Sequence, residues 1–199
     1  MKINFLNITV DISYTLIAGL CIALILSNNT VIAAAVVSSV LHEAAHIAVM
    51  RRFSSGHITV RADLFNIVIN DTVRWSGSYR RDTAVLCAGP EVNMIIWAIS
   101  FCVYKITSVN AFFEISMVNA SLAVFNLLPI ETTDGGQLLG IILRDRFNTA
   151  LAERIVFFLS LIIIIPAAVI GFYILIRSKY NYTMLLAVIY LAAAILSKI

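Results

Sequence analysis

Apolar residues run almost unbroken over six stretches of the chain, at about residues 12–26, 31–50, 83–104, 112–130, 155–176 and 183–196. A bilayer core takes about 20 residues of helix per crossing. The pattern therefore predicts an all-α polytopic membrane protein with about six transmembrane helices, the last of them short. Residues 51–82 are the one long polar insert, between the second and third spans. Within it Ile58, Val60, Ala62 and Leu64 alternate with Thr59, Arg61 and Asp63, and Ile67, Ile69, Val73 and Trp75 form a second alternating patch. A period of two predicts a small insert of two or three short strands, closed by a turn at Ser76, Gly77 and Ser78. The segment 137–150 mixes leucine and isoleucine with Arg144, Asp145 and Arg146 and reads as a helix lying at the interface.

Composition agrees with the spans. Of 199 residues, 61% are hydrophobic and 13% charged, about half the charge of an ordinary soluble domain. This length holds a single membrane-embedded domain over 1–199. Net charge is only +3, and the basic residues flank membrane boundaries without interleaved aromatics, so nucleic acid is not indicated as a partner. Cys21, Cys87 and Cys102 lie in apolar runs, with no metal-cluster or disulfide spacing, and read as small buried hydrophobes. The amino terminus has no small-residue cleavage site, so no removable signal peptide is expected.

Loop charge sets the orientation. With the amino terminus inside, the inner segments carry Lys2, arginines 51, 52, 61, 74, 80 and 81, Arg144, Arg146, Arg154 and Lys198. The outer segments carry Lys105, Arg177 and Lys179. The excess favours both termini on the cytoplasmic side.

Against this apolar background, LHEAAHIAVM at 41–50 stands out, because ionisable groups inside a span are costly and mark function. His42 and His46 are four apart and share one helical face, where two imidazole nitrogens can meet one metal ion. Glu43 lies beside the first of them, near enough to take a proton from a metal-activated water. The plain alternative is a buried polar cluster that ties helices together. A catalytic zinc usually takes three protein ligands. Asp134 is the best third candidate, since it follows the fourth span in NLLPIETTDGG, where Pro129 interrupts the helix and Gly135-Gly136 permits close backbone approach. Glu131 is its rival, and Asp134 also reads as a helix cap. His57, in the strand insert, reads as a loop histidine. Gly89-Pro90 reads as a local kink or as a point where the third span yields.

HEAAH, followed by CAGPEVN at 87–93 and NLLPIETTDGG at 126–136, resembles the ordered motifs of the site-2 protease family of intramembrane zinc peptidases. The likeness covers residues 31–143. Neither a PDZ module nor a CBS domain fits in the chain, so the resemblance is to the compact SpoIVFB-like subgroup. Glu131, Thr132 and Thr133 stand where many relatives carry a proline-rich spacer. The resemblance implies one zinc ion held by His42, His46 and Asp134, with Glu43 as general base and Asn126 steadying the substrate carbonyl. Its implied activity is hydrolysis of peptide bonds in or near transmembrane segments of membrane-protein substrates, reached from the cytoplasmic side of a bacterial membrane. A regulatory membrane partner is also compatible with it. The rival is a metal-ion transporter using the same histidines and aspartate, which would have no need of Glu43. For the strand insert, two readings stay open: an edge that captures an unwound substrate segment, or a patch that shields the membrane surface. In either case its arginines can meet anionic lipid headgroups.

Overall fold

A computed structural model of the chain describes residues 2–5, 8–13, 30–53, 58–62, 67–71, 78–178 and 183–196. Most of the expected first span, the tight turn at Ser76-Gly77, His57 and Cys21 lie outside these residues. The described chain is mostly helical, and it divides into two compact units, residues 1–124 and 125–199.

In the first unit, β1 (Lys2–Phe5), β2 (Ile8–Ile12), β3 (Ile58–Ala62) and β4 (Ile67–Asp71) form a sheet in that order. β1 and β2 pair antiparallel, as do β3 and β4. β2 and β3 pair parallel, with Ile8 opposite Ile58 and Ile12 opposite Ala62. The amino-terminal strands correct the sequence reading, which started a helix at Ile12 and placed strands only in the polar insert. Lys2 to Ile12 contains ITVDI, a β-branched alternation. Only its last residue, Ile12, falls within the apolar run 12–26.

Three helices complete this unit: α1 (Thr30–Phe53), α2 (Tyr79–Thr107) and α3 (Asn110–Leu127), whose last three residues fall in the second unit. α1 buries Ser38, His42, His46 and Met50, a stripe with a spacing of four that faces α2. α2 answers with Val85, Gly89 and Asn93 at the same spacing. Contacts from His46 to Val85 and from His42 to Asn93 show that the two helices run antiparallel. α2 ends on Ser108 in the left-handed region, φ 56°, whose amide donates to Tyr104 O at 2.8 Å, and α3 starts two residues later. Thr30 donates to Glu114, and Asn119 Nδ2 donates to Ser38 Oγ at 2.9 Å, so α1 and α3 run in the same direction. Interhelical bonds of this kind contribute about 0.6 to 2 kcal/mol in a membrane.

The second unit holds α4 (Asp134–Arg146), α5 (Thr149–Ser178) and α6 (Thr183–Leu196). Its core is Ile130, Ile164, Val188, Leu191 and Ile195. α5 is apolar all round: Phe158, Ile162, Ile165, Val169, Phe172 and Ile176 are all exposed. In water that surface would be an aggregation site, and in lipid it is the expected exterior. α1, α2 and α5 are each long and apolar enough to cross a membrane.

Pro129 cannot continue α3, and the chain turns through Leu128 to Thr133 before α4 begins. Thr133 Oγ1 donates to Leu128 O at 2.6 Å and to Ile130 O at 2.9 Å, and the Glu131 amide donates to Ser160 Oγ at 2.9 Å. α4 then packs its first turn onto this loop. A Cβ on Gly135 would lie 2.2 Å from Leu127 O, and one on Gly136 would lie 1.8 Å from Ile130 O. Both contacts are with backbone, so neither can give way cheaply. Gly136→Ala is expected to cost about 3 kcal/mol or more, read as a lower unfolding midpoint in detergent, whereas Gln137→Ala at the neighbouring exposed position leaves the midpoint within error.

Candidate metal centre

His42 and His46 come together as their spacing requires. Both are buried, and their rings meet edge to face, with centroids 4.7 Å apart and planes at 80°. The two Nε2 atoms are 3.1 Å apart. Two nitrogens each at 2.0–2.1 Å from a tetrahedral zinc would be about 3.3 Å apart, so the pair is already near the spacing that a shared ion demands.

What aims the rings lies on α2. His46 Nδ1 is 2.7 Å from the carbonyl oxygen of Val85, and His42 Nδ1 is 3.0 Å from the carboxamide nitrogen of Asn93. Metal-ligating histidines characteristically anchor the second ring nitrogen in this way, which fixes ring orientation. Pro90 has no amide hydrogen to give Leu86 O and loosens the helix in the same turn. Between the two anchors, Gly89 leaves the room that the rings occupy. A Cβ there would fall 2.4 Å from His46 Nε2 and 2.6 Å from His42 Nε2. The residues present therefore fit a cation: two nitrogen donors converge, both rings are braced from behind, and the facing backbone carries no side chain.

Glu43 follows the first histidine on α1 and is half-buried. In the second unit, Asn126 occupies the last turn of α3 and Asp134 opens α4, and the contact of Gly135 with Leu127 folds these two segments onto each other. Asp134 is half-buried. It is not the cap of α4: Thr133 is the N-cap, and its side chain accepts from the Gly136 amide. The capping explanation for Asp134 thus passes to its neighbour. The rival Glu131 binds Ser160 through its backbone amide and lines a cavity of about 350 Å³ with Gln137, Arg144 and Glu153.

Sequence reasoning quoted CAGPEVN but gave Asn93 no task and missed the Val85 carbonyl altogether. A signal for the first existed. Gly89 and Asn93 repeat the four-residue spacing of His42 and His46 on the following span, as facing stripes of an antiparallel pair would. The Val85 carbonyl belongs to the backbone and leaves no trace in side-chain identity. Gly89→Ala should weaken zinc binding at least about tenfold, checked by competition with a chromophoric chelator, while helix content by circular dichroism stays unchanged.

Residues 103–167 match Peptidase family M50. A zinc metalloprotease of Methanocaldococcus jannaschii is 27% identical over 168 residues, 77% of this chain and 48% of that protein, so the chain spans about half the length of this curated relative. The solved structure of the site-2 protease from the same organism superposes with a TM-score of 0.63 at 22% identity, covering 96% of this chain and 91% of that one. Part of the chain thus resembles Peptidase family M50, and its fold is like that of a solved site-2 protease.

Proposed function

We propose that the protein is a zinc-dependent intramembrane endopeptidase that hydrolyses peptide bonds in or near transmembrane segments of other membrane proteins. The observation that carries this reading is the convergence of two buried imidazole Nε2 atoms at 3.1 Å inside an apolar helix, with both Nδ1 atoms anchored. A polar cluster serving only to tie helices would not need two rings aimed at one point. One zinc ion is held by His42, His46 and Asp134. Two imidazoles and a carboxylate are a donor set that catalytic zinc takes while keeping one position open. When bound, zinc supplies Lewis acidity, which polarises a carbonyl and acidifies water.

The chain's own residues divide the remaining work. Glu43, adjacent to the first ligand, accepts a proton from the attacking water on its carboxylate and returns it to the leaving amine. Asn126, at the end of α3, donates through its carboxamide as charge develops on the scissile carbonyl oxygen. A metal transporter would have no use for the glutamate in this position, and kinship with Peptidase family M50 disfavours that alternative.

The fold works as one membrane-embedded domain with six spans, both termini and the site's access on the cytoplasmic side, in a bacterial cytoplasmic membrane. The excess of lysine and arginine in the assigned inner segments supports this orientation. The partners are lipid and a substrate helix, and a regulatory membrane protein is compatible with this reading. A substrate helix hides its peptide bonds in its own hydrogen bonds and must unwind before attack. β4 is a terminal strand in the sheet order, the position from which an unwound segment can add as a further strand.

Glu43→Gln should retain zinc at wild-type stoichiometry and lose cleavage by at least about 10²-fold. Mass spectrometry of membranes bearing the two proteins should find membrane-protein fragments released only by the wild type, and undiminished fragments from Glu43→Gln would remove the assigned base. Asn126→Ala should lower turnover by about 10² to 10³ with zinc content unchanged, measured on a purified substrate identified in that comparison.

A further inference from the structure

We infer that Asn93 is the positioning residue that holds the ring of His42 in the tautomer able to ligate, by turning its carboxamide oxygen toward Nδ1. The inference rests on the zinc reading above and concerns a residue with no role in it. The two histidines are braced by chemically different groups. Val85 O can only accept, so His46 Nδ1 must carry the ring proton, which leaves Nε2 with its lone pair. His42 faces a carboxamide, which has a donor end and an acceptor end. Only the acceptor end sets His42 as Val85 sets His46.

Three observations bear on which end is used. The carboxamide nitrogen is 3.0 Å from His42 Nδ1, so the group is already within hydrogen-bonding distance. Asn93 is 0% exposed, so solvent does not substitute for either end. Its Oδ1 is buried without a hydrogen-bond partner, a costly position for an amide oxygen. A half-turn about the Cβ–Cγ bond places Oδ1 on Nδ1 and Nδ2 in the buried position that Oδ1 leaves. The ring keeps a single proton, now on Nδ1, and Nε2 presents a lone pair toward the point that His46 Nε2 also faces. A carboxamide does this without the charge that an aspartate would bring into an apolar helix.

The test uses the full chain in detergent. Zinc affinity is measured by chelator competition for wild type, Asn93→Leu and Asn93→Asp. Loss of the acceptor in Asn93→Leu is expected to weaken zinc about 10- to 100-fold, whereas Asn93→Asp, which can only accept, restores affinity to within a few-fold of wild type. Independently of either variant, zinc-loaded wild type labelled with ¹⁵N-histidine should show the His42 ring as the Nδ1–H tautomer with a slowly exchanging proton, its signals assigned by their loss in His42→Gln. The chain has 3 histidines, so the spectrum is tractable. Equal zinc affinity in wild type and Asn93→Leu would overturn the inference, as would an Nε2–H tautomer or a rapidly exchanging Nδ1 proton at His42. Failure of the wild type itself to bind zinc would instead overturn the zinc reading.

Discussion

The 2.7 Å contact between His46 Nδ1 and the carbonyl of Val85 is the point where the two longest helices of the first unit become one device. Burying an imidazole in an apolar bundle is unfavourable unless its polar atoms are matched. α1 cannot supply a match from its own sequence, because the residues on the same face are Ser38, His42 and Met50. The match has to come from the neighbouring helix. That requirement fixes how α1 and α2 are registered: sliding either by one turn would separate Val85 from His46 and Asn93 from His42, and would bring a side chain into the space that Gly89 leaves open.

The second unit answers a related problem at its loop. A chain that leaves α3 at Leu127 and starts α4 at Asp134 exposes carbonyls that no helix satisfies. Thr133 takes two of them with one hydroxyl while capping the next helix, and Ser160 on α5 receives the Glu131 amide. Ile130, fully buried, pins the same loop into the core with Val188 and Leu191. Two side-chain hydroxyls on main-chain groups and one buried isoleucine thus hold the loop.

Much of this was legible in the residues. HEAAH announced the imidazole pair because a four-residue spacing has one meaning on a helix, and the apolar runs gave α1, α2, α3, α5 and α6 within a few residues. Pro129 and the glycine pair marked the break before α4 correctly. The amino-terminal strands were not legible. A nine-residue stretch such as NITVDISYT sits beside a long apolar run, and period alone does not separate the end of a strand from the start of a span. The brace behind the histidines was hidden for a different reason: half of it is a main-chain carbonyl, and the other half is an asparagine on a different span whose partner only three-dimensional pairing reveals. For Asp134, the rival role as a cap could be dismissed only when Thr133 was seen to hold that position.

The parallel pairing of β2 with β3 carries a consequence for how the chain is made. Ile8 lies opposite Ile58, fifty positions further on, and a contact between such distant segments must wait until the intervening polypeptide exists. The β1–β2 pair is synthesised before β3 and is too small to persist by itself. It acquires a stable neighbour only after the helix bearing both histidines has left the ribosome. Assembly of the sheet thus reports that this helix has been delivered, and the pairing of β1 with β2 waits on a strand made after it.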